Sequence, residues 1–195
     1  GTVIDGLTVG AYTSAGVAVE NASNVTVTNT EFERLSGPGV RLANATDVSV
    51  SGIRVATGPS GVSVEGTSDV TVTDARFRRL SGPAVGLADA TGVSVTGVEV
   101  TDGRADSTGV TAEDSEEVTV RNTTLRGLSG PGIDLAGTTG TSLVGLTVTE
   151  GPTAVAAANA SDVSIANATF EALSGPAVAL TDSPAAVVRH TDVTD

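Results

Sequence analysis

The chain has 195 residues, a formal net charge of −13 at pH 7, only 2% aromatic residues and no cysteine. This charge excludes a basic nucleic-acid footprint over the whole chain and disfavours anionic membrane surfaces. The lack of cysteine excludes disulfides and thiolate metal sites, and no apolar run reaches the about 18 residues of a membrane span.

All ten basic residues are arginine. An acidic chain without lysine, rich in alanine, valine, threonine and glycine, resembles proteins of extreme halophiles, whose carboxylates keep the surface hydrated in molar salt. The alternative is an acidic secreted protein of a mesophile. The chain starts directly in strand-like sequence at Gly1–Ile4, which predicts a processed or excised segment of a longer chain.

The tetrapeptide Leu-Ser-Gly-Pro returns four times, starting at Leu35, Leu80, Leu128 and Leu173, at spacings of 45, 48 and 45 residues. A related copy without the tetrapeptide lies halfway between these marks, so the repeat unit has 22 to 25 residues. Seven full copies span residues 16–176, with partial copies at 1–15 and 177–195. We therefore expect one elongated repeat domain over residues 1–195.

Within each copy, apolar residues alternate in three short bursts, a pattern typical of strands. In the first full copy these bursts are Val17 and Val19, then Val25 and Val27, then Phe32. Equivalent positions recur down the chain, so a solenoid would stack them about 4.8 Å apart. The predicted inward columns include Val17, Val40, Val62, Val85, Val110, Ile133, Val155, Val178; Val27, Val50, Val72, Val95, Val120, Leu143, Ile165, Val188; and Phe32, Val55, Phe77, Val100, Leu125, Val148, Phe170.

Two positions between the bursts are held mainly by asparagine, aspartate and glycine, the residues that tolerate a positive φ. They predict two sharp corners, and the Ser-Gly-Pro segment supplies a third in alternate copies. Three strands and three corners per turn predict an all-β parallel β-helix. The corner positions are Asn21, Asn44, Gly66, Asp89, Asp114, Gly137, Asn159, Asp182; and Asn29, Gly52, Asp74, Gly97, Asn122, Gly145, Asn167, His190.

Segments such as residues 61–74, GVSVEGTSDVTVTD, resemble the parallel β-helix repeats of the pectate-lyase-like superfamily. The resemblance covers essentially the whole chain and implies a right-handed coil. Such repeats recur in large surface proteins of bacteria and archaea, and polysaccharide lyases and hydrolases share the fold. The usual amphipathic end-cap helix is missing at both ends.

Catalysis on this fold uses acidic clusters in a groove walled by long loops. Glu20, Glu65 and Glu113 hold one outward position in alternate copies, hence about 9.6 Å apart, near the upper range for an inverting carboxylate pair. Ala43 and Ala88 lie between them, and the longest insertion adds three residues, within 101–108. We therefore predict a solvated acidic face and no enzyme, with a polysaccharide lyase or hydrolase as the alternative.

Arginines concentrate on the outward positions of the third strand. The candidates for binding an anionic glycan or an acidic neighbouring subunit are Arg54, Arg76, Arg78, Arg79 and Arg126. The same face carries Glu31, Glu33 and Glu99, so a ladder of ion pairs between coils is the alternative reading. Outward on the second strand, a flat column of serine and threonine suits lateral packing: Thr26, Ser49, Thr71, Ser94, Thr119, Ser142 and Ser164.

Six glycosylation sequons lie at or beside the corners, at Asn21, Asn24, Asn44, Asn122, Asn159 and Asn167. Corners favour asparagine in any case, so their occupancy stays open. The lone His190 is predicted to be a turn residue, because one histidine without cysteine cannot build a tight metal site. Tyr12 is predicted to pack locally. We expect no metal and no cofactor.

These features favour a non-catalytic structural or adhesive rod of an extracellular or cell-surface protein. Its partners are expected to be further copies, neighbouring repeats of the same chain, or glycans. A carbohydrate-binding or lyase-like module, and a segment of a viral or appendage fibre, remain alternatives.

We expect thermal stability to increase as NaCl is raised from dilute buffer of about 0.01 M to about 1 M, since the Debye length then shrinks from about 30 Å to about 3 Å and self-repulsion weakens. Circular dichroism melts in NaCl and KCl measure this effect and separate screening from binding of a specific ion. A melting temperature independent of salt would contradict the halophile interpretation.

Overall fold

A computed structural model describes residues 1–10 and 14–195, and Tyr12 lies outside these described residues. The described chain is built from strands, turns and bends and contains no helix, hence none long and apolar enough to cross a membrane. Every pair of neighbouring strands within its sheets is parallel. The predicted parallel β-helix is therefore confirmed.

The strands are short because each crosses one side of a coil before the chain turns at a corner. In chain order they are β1 Thr2–Asp5, β2 Thr8–Val9, β3 Val17–Glu20, β4 Ser23–Thr28, β5 Glu31–Phe32, β6 Val40–Ala43, β7 Thr46–Ser51, β8 Arg54–Val55, β9 Val62–Glu65, β10 Ser68–Thr73, β11 Arg76–Arg78, β12 Pro83–Ala88, β13 Thr91–Thr96, β14 Glu99–Thr101, β15 Thr108–Glu113, β16 Thr119–Arg121, β17 Thr124–Arg126, β18 Ile133–Ala136, β19 Ser142–Val144, β20 Thr147–Thr149, β21 Val155–Ala158, β22 Ser164–Glu171, β23 Val178–Thr181 and β24 Val187–Thr194.

Three sheets run along the solenoid. The first sheet has eight strands, from β3 through β6, β9, β12, β15, β18 and β21 to β23. The second sheet is β1, β4, β7, β10, β13, β16, β19 and the first part of β22, and the third is β2, β5, β8, β11, β14, β17, β20 and the second part of β22. The long β22 joins the second and third sheets, and β24 pairs with it along its whole length.

The register places equivalent residues directly above one another, as the sequence predicts. Val17 pairs with Val40, Val27 with Val50, and Phe77 with both Val55 and Val100. Each inward column is thus a continuous apolar ladder. The three phenylalanines, Phe32, Phe77 and Phe170, are at most 1% exposed, so they fill one wall of the core.

Both predicted corners are confirmed. Every residue of the two corner columns has a positive φ, including Asn29 at 50°, Asp74 at 52° and His190 at 48°. Glycine at these corners also leaves space for its neighbour. A Cβ on Gly97 would lie 3.0 Å from Oδ1 of Asp74, and one on Gly145 would lie 2.8 Å from Oδ1 of Asn122.

A further left-handed column, at the start of the second sheet, was missed by the sequence analysis. It is formed by Asn24, Asp47, Asp69, Gly92, Glu117, Gly140, Asp162 and Ala185. The signal was present, since most of these residues are asparagine, aspartate or glycine. Six of the eight directly precede an inward valine, so the column lies next to a strand-like burst, which hides the corner.

Buried hydroxyl groups tie successive coils together beside the first corner. Oγ1 of Thr67 donates to the carbonyl oxygen of Glu65 at 2.8 Å and accepts from the amide of Ala45 at 3.4 Å. Likewise, Oγ of Ser115 donates to the carbonyl oxygen of Glu113 at 2.8 Å and accepts from the amide of Ala90 at 3.2 Å. These hydroxyls replace apolar side chains without leaving polar atoms unpaired.

The apolar ladders reach both ends of the solenoid and are uncovered there. Inward-facing Leu180, Val188 and Val193 of the last coil are 42%, 45% and 60% exposed, and Leu7 near the other end is 39% exposed. In the interior coils the equivalent positions are buried. The terminal coils therefore present apolar surface and unpaired strand edges.

Because Phe77 is 1% exposed, we predict that Phe77→Ala lowers the free energy of unfolding by about 3–5 kcal/mol. Chemical denaturation in molar salt measures the loss. The matched control is Thr71→Ala on the outer face of the second sheet, for which the expected change is within about 0.5 kcal/mol. A Phe77→Ala variant as stable as the parent chain would contradict the core packing.

Candidate binding surface

The outer side of the third sheet carries most of the predicted binding residues. We call it the arginine face and define it by Glu31, Glu33, Arg54, Ala56, Arg76, Arg78, Glu99, Thr101 and Arg126. Its side chains point outward because they alternate with the buried column of Phe32, Val55 and Phe77. They form two outward columns, in which equivalent residues of successive coils lie about 4.8 Å apart.

Ion pairs between coils dominate this face, as one of the two alternatives predicted. Nη1 of Arg54 lies 2.9 Å from Oε1 of Glu31, and Nε of Arg76 lies 3.1 Å from Oε2 of Glu99. Nη2 of Arg126 lies 3.2 Å from Oε1 of Glu150. All these side chains are at least half exposed, so water screens each pair and its contribution to stability is small.

Arg54 and Arg76 form a like-charged pair in the middle of the face. They are direct partners in the register of β8 and β11, with one glutamate on the outer side of each. Like charges directly opposite one another destabilise a sheet. The flanking carboxylates of Glu31 and Glu99 offset this repulsion.

A shallow pocket of about 230 Å³ opens at this point. The registers of Phe32, Val55 and Phe77 place Ala56 between Glu33 and Arg78, and this missing side chain creates the depression. Three of the five predicted binding residues line it, namely Arg54, Arg76 and Arg78. Arg78 also contacts Asp102 through Nη2 at 3.4 Å.

The structure does not bring the other two arginines to this pocket. Arg79 follows β11 with a φ of 48°, is exposed, and forms no ion pair with the described residues. Arg126 lies in line with Arg78 but beyond Thr101, two coils along the stack. Its hydrogen bonds to Glu150, together with the charge of that carboxylate, raise the pKa of the Arg126 guanidinium above its ordinary value.

The three glutamates considered for catalysis lie on the first sheet as expected, separated by alanines. Glu20 pairs with Ala43, Ala43 with Glu65, Glu65 with Ala88, and Ala88 with Glu113. Arg41 contacts Glu20 at 4.0 Å and Glu65 at 3.8 Å, an interaction that the sequence analysis missed. The interaction could have been predicted from the sequence, because Arg41 lies two residues before Ala43, in the outward column next to that of the glutamates.

One carboxyl group on the first sheet is partly shielded from water. Asp134 lies outward in β18 between Thr111 and Ala156 and is half-buried. Burial raises the pKa of this carboxyl above its ordinary value, because desolvation disfavours the charged form. The register places Asp134 two coils beyond Gly86 in the same column.

The second sheet presents the predicted flat column of serine and threonine, with Thr26, Ser49, Thr71 and Ser94 in register. The sequon residues Asn21, Asn24, Asn44, Asn122, Asn159 and Asn167 are all exposed. They lie at or beside the two corners that bound this sheet. Over residues 1–10 and 14–195, no group of three or more histidines or carboxylates is placed to hold a metal ion.

Several solved structures share this fold at low sequence identity. The enzymatically active domain of tailspike protein 2 from bacteriophage CBA120 matches with a TM-score of 0.69 and 13% identity, over 87% of this chain and 28% of the tailspike chain. The A-module of mannuronan C-5 epimerase AlgE6 from Azotobacter vinelandii matches with a TM-score of 0.62 and 13% identity, over 88% of this chain and 58% of that one. PfbA, a surface adhesin of Streptococcus pneumoniae, matches with a TM-score of 0.58 and 11% identity, over 98% and 69%.

At these identities the similarities show the fold alone. The chain spans less than a third of the tailspike chain and just over half of the epimerase module. No curated protein matches the chain significantly in sequence. The family model for the right-handed β-helix region matches residues 1–145 and 83–195, which together cover the whole chain. The chain therefore belongs to the right-handed β-helix family.

Proposed function

We propose that this chain is a non-catalytic rod of an extracellular or cell-surface protein, serving as a structural or adhesive segment. Its coils stack into one continuous core, and its three outer faces are available to neighbours. The right-handed β-helix also occurs in a pneumococcal surface adhesin and in bacteriophage tailspikes, which favours an exposed location for this chain as well.

The observation that carries the proposal is the shortness of every described connection between strands. The longest runs from residue 33 to residue 39, and the insertion after β14 is confined to residues 102–107. Eleven of these connections contain only the two residues of a tight corner, as at 21–22 and 74–75. Such connections shape flat faces and provide no wall for a deep cleft that would exclude water from a reaction.

The charged groups on the outer faces support the same proposal. Glu20 and Glu65 both contact Arg41, and Glu31 and Glu99 each contact an arginine of the neighbouring coil. Carboxylates engaged in this way serve as contacts between neighbouring coils. They are suited to hold adjacent coils together and to keep an acidic rod soluble.

The uncovered apolar ends supply the experiment. We expect that the chain, sedimented in about 1 M salt, forms species whose size increases with protein concentration and that these are rods by electron microscopy. The double variant Val188→Asp and Val193→Asp places charge on one exposed end and should abolish this growth. Thr71→Asp, on a lateral face, is the matched control.

A wild-type chain that remains monomeric would assign the rod to a spacer within a longer chain. The proposal of a non-catalytic role is contradicted by a different result. That result is depolymerisation or epimerisation of a polysaccharide by the purified chain, lost in Glu65→Gln or Glu113→Gln. Reducing-end release and NMR of the sugar products measure it.

A second candidate function is recognition of an acidic partner, either an anionic glycan or an acidic subunit, on the arginine face. It is favoured by the pocket at Ala56, which three arginines, Arg54, Arg76 and Arg78, line together with Glu31 and Glu33. An anion there would relieve the repulsion between Arg54 and Arg76. Guanidinium groups bind carboxylate and sulfate through two parallel hydrogen bonds, which gives such a site its specificity.

To test this second function, Arg54, Arg76 and Arg78 are replaced together by serine and binding to sulfated and carboxylated glycans is measured. Hydrogen bonds to charged groups contribute about 1.5–3 kcal/mol each, so we expect at least a roughly tenfold weaker Kd. The control replaces Arg104, Arg121 and Arg189, which changes the net charge equally away from the pocket. Equal weakening by both triple variants would show only a general charge effect.

A further inference from the structure

The first sheet contains a guanidinium group held between two glutamates of alternate coils. Arg41 extends from β6, and its Nη1 lies 4.0 Å from Oε1 of Glu20 while its Nη2 lies 3.8 Å from Oε2 of Glu65. The two glutamates are two strand spacings apart, about 9.6 Å. Ala43 lies between them in their own column and leaves room for the arginine.

The same arrangement recurs further along the sheet without its arginine. Glu65 and Glu113 are again two coils apart, with Ala88 between them. The register from Arg41 through Ser63 leads to Gly86, which lies 45 residues after Arg41 and occupies the equivalent outward position. One pair of glutamates is thus bridged by an arginine, and the next pair faces an empty position.

An open cleft results at Gly86. It has a volume of about 220 Å³ and is lined by Glu65, Glu113, Ala88, Ser63 and Thr111 among others. The atoms nearest to a Cβ on Gly86 would be Cγ of Pro83, at 3.2 Å, and Oγ1 of Thr111, at 3.4 Å. The φ of Gly86 is not in the left-handed region, so the corner geometry does not explain why glycine stands here.

The glutamates of this cleft have carboxylate oxygens that accept no hydrogen bond from the described residues. Glu113 forms no ion pair and no side-chain hydrogen bond with the described residues, and Glu65 meets Arg41 through one oxygen only. The cleft is therefore an acidic site whose bridged counterpart shows which chemical group fits it. That group is planar, positively charged and able to contact two carboxylates at once, which describes a guanidinium better than a compact ammonium.

We propose that the cleft at Gly86 binds the guanidinium group of an arginine on a partner protein. The arginine enters between Glu65 and Glu113 as Arg41 does between Glu20 and Glu65. The formal charge of −13 attracts a basic partner and disfavours a second copy of this chain in dilute buffer. The proposal concerns a different sheet from the arginine face and does not depend on the role of the rod.

The test is an NMR titration of the whole chain, in the lowest salt that keeps it folded, with two short peptides. One is acetyl-Gly-Arg-Gly-amide, and the other carries citrulline, which has the shape of arginine without its charge. We expect saturable amide shifts at Gly86, Ala88 and Glu113 with the arginine peptide, and none with citrulline.

Two variants and one control locate the site. Glu113→Gln should weaken binding about three- to fivefold, as expected for the loss of one exposed charge partner. Gly86→Arg supplies the missing arginine from the chain itself and should abolish the shifts by filling the cleft. Glu171→Gln removes an exposed charge from the third sheet and should leave binding unchanged.

Three results would overturn the proposal. One is amide shifts of similar size at acidic corners away from the cleft, such as Asp74 and Asp182, which indicates general attraction by an acidic surface. Another is equal weakening by Glu113→Gln and Glu171→Gln. The third is broadening of the Gly86 amide with protein concentration alone, relieved by Glu113→Gln, which assigns the arginine to a second copy of this chain.

Discussion

The structure depends on the parallel hydrogen bonds that join each coil to the next. A strand in one coil has its partners in the same sheet of the coils above and below, as Val62 pairs with Val40 and with Val85. This pairing fixes the spacing between equivalent residues at about 4.8 Å. It also requires every coil to turn at equivalent positions, so the residues at these positions must adopt a left-handed backbone in each coil. The asparagine, aspartate and glycine columns meet that requirement.

The same pairing turns the outer faces into a grid of charges. Each outward residue lies against the equivalent residues of the coils above and below. An arginine and a glutamate at equivalent positions of adjacent coils therefore meet directly. Arg54 with Glu31 and Arg76 with Glu99 arise this way. When the order of charges is not alternating, as at Arg54 and Arg76, the grid produces a local excess of one sign. When a large residue is replaced by a small one, as at Ala56 or Gly86, it produces a depression.

Much of the fold was predictable because inward positions repeat strictly. The valine columns, the phenylalanine wall and two of the left-handed corners follow from period and composition alone. The left-handed column at Asn24 and Asp47 was not recognised, since its residues are equally at home on an outward strand position. The hydroxyl bridges of Thr67 and Ser115 were missed because a threonine or serine in that column looks like an ordinary turn residue until its partner, the amide of an alanine one coil below, is placed.

The outer faces were harder to predict for a physical reason. Outward positions are under no packing constraint, so their residues vary and only the register shows which of them meet. Three of the five predicted arginines line one pocket, and that pocket depends on Ala56, which carries no chemical signal. Gly86 is a similar case, because the cleft beside it is recognised as a binding site only by comparison with Arg41, which holds the equivalent position two coils earlier. In a solenoid whose core repeats, specific recognition must come from positions where the outer pattern is broken, and these breaks are visible only against the copies that keep it.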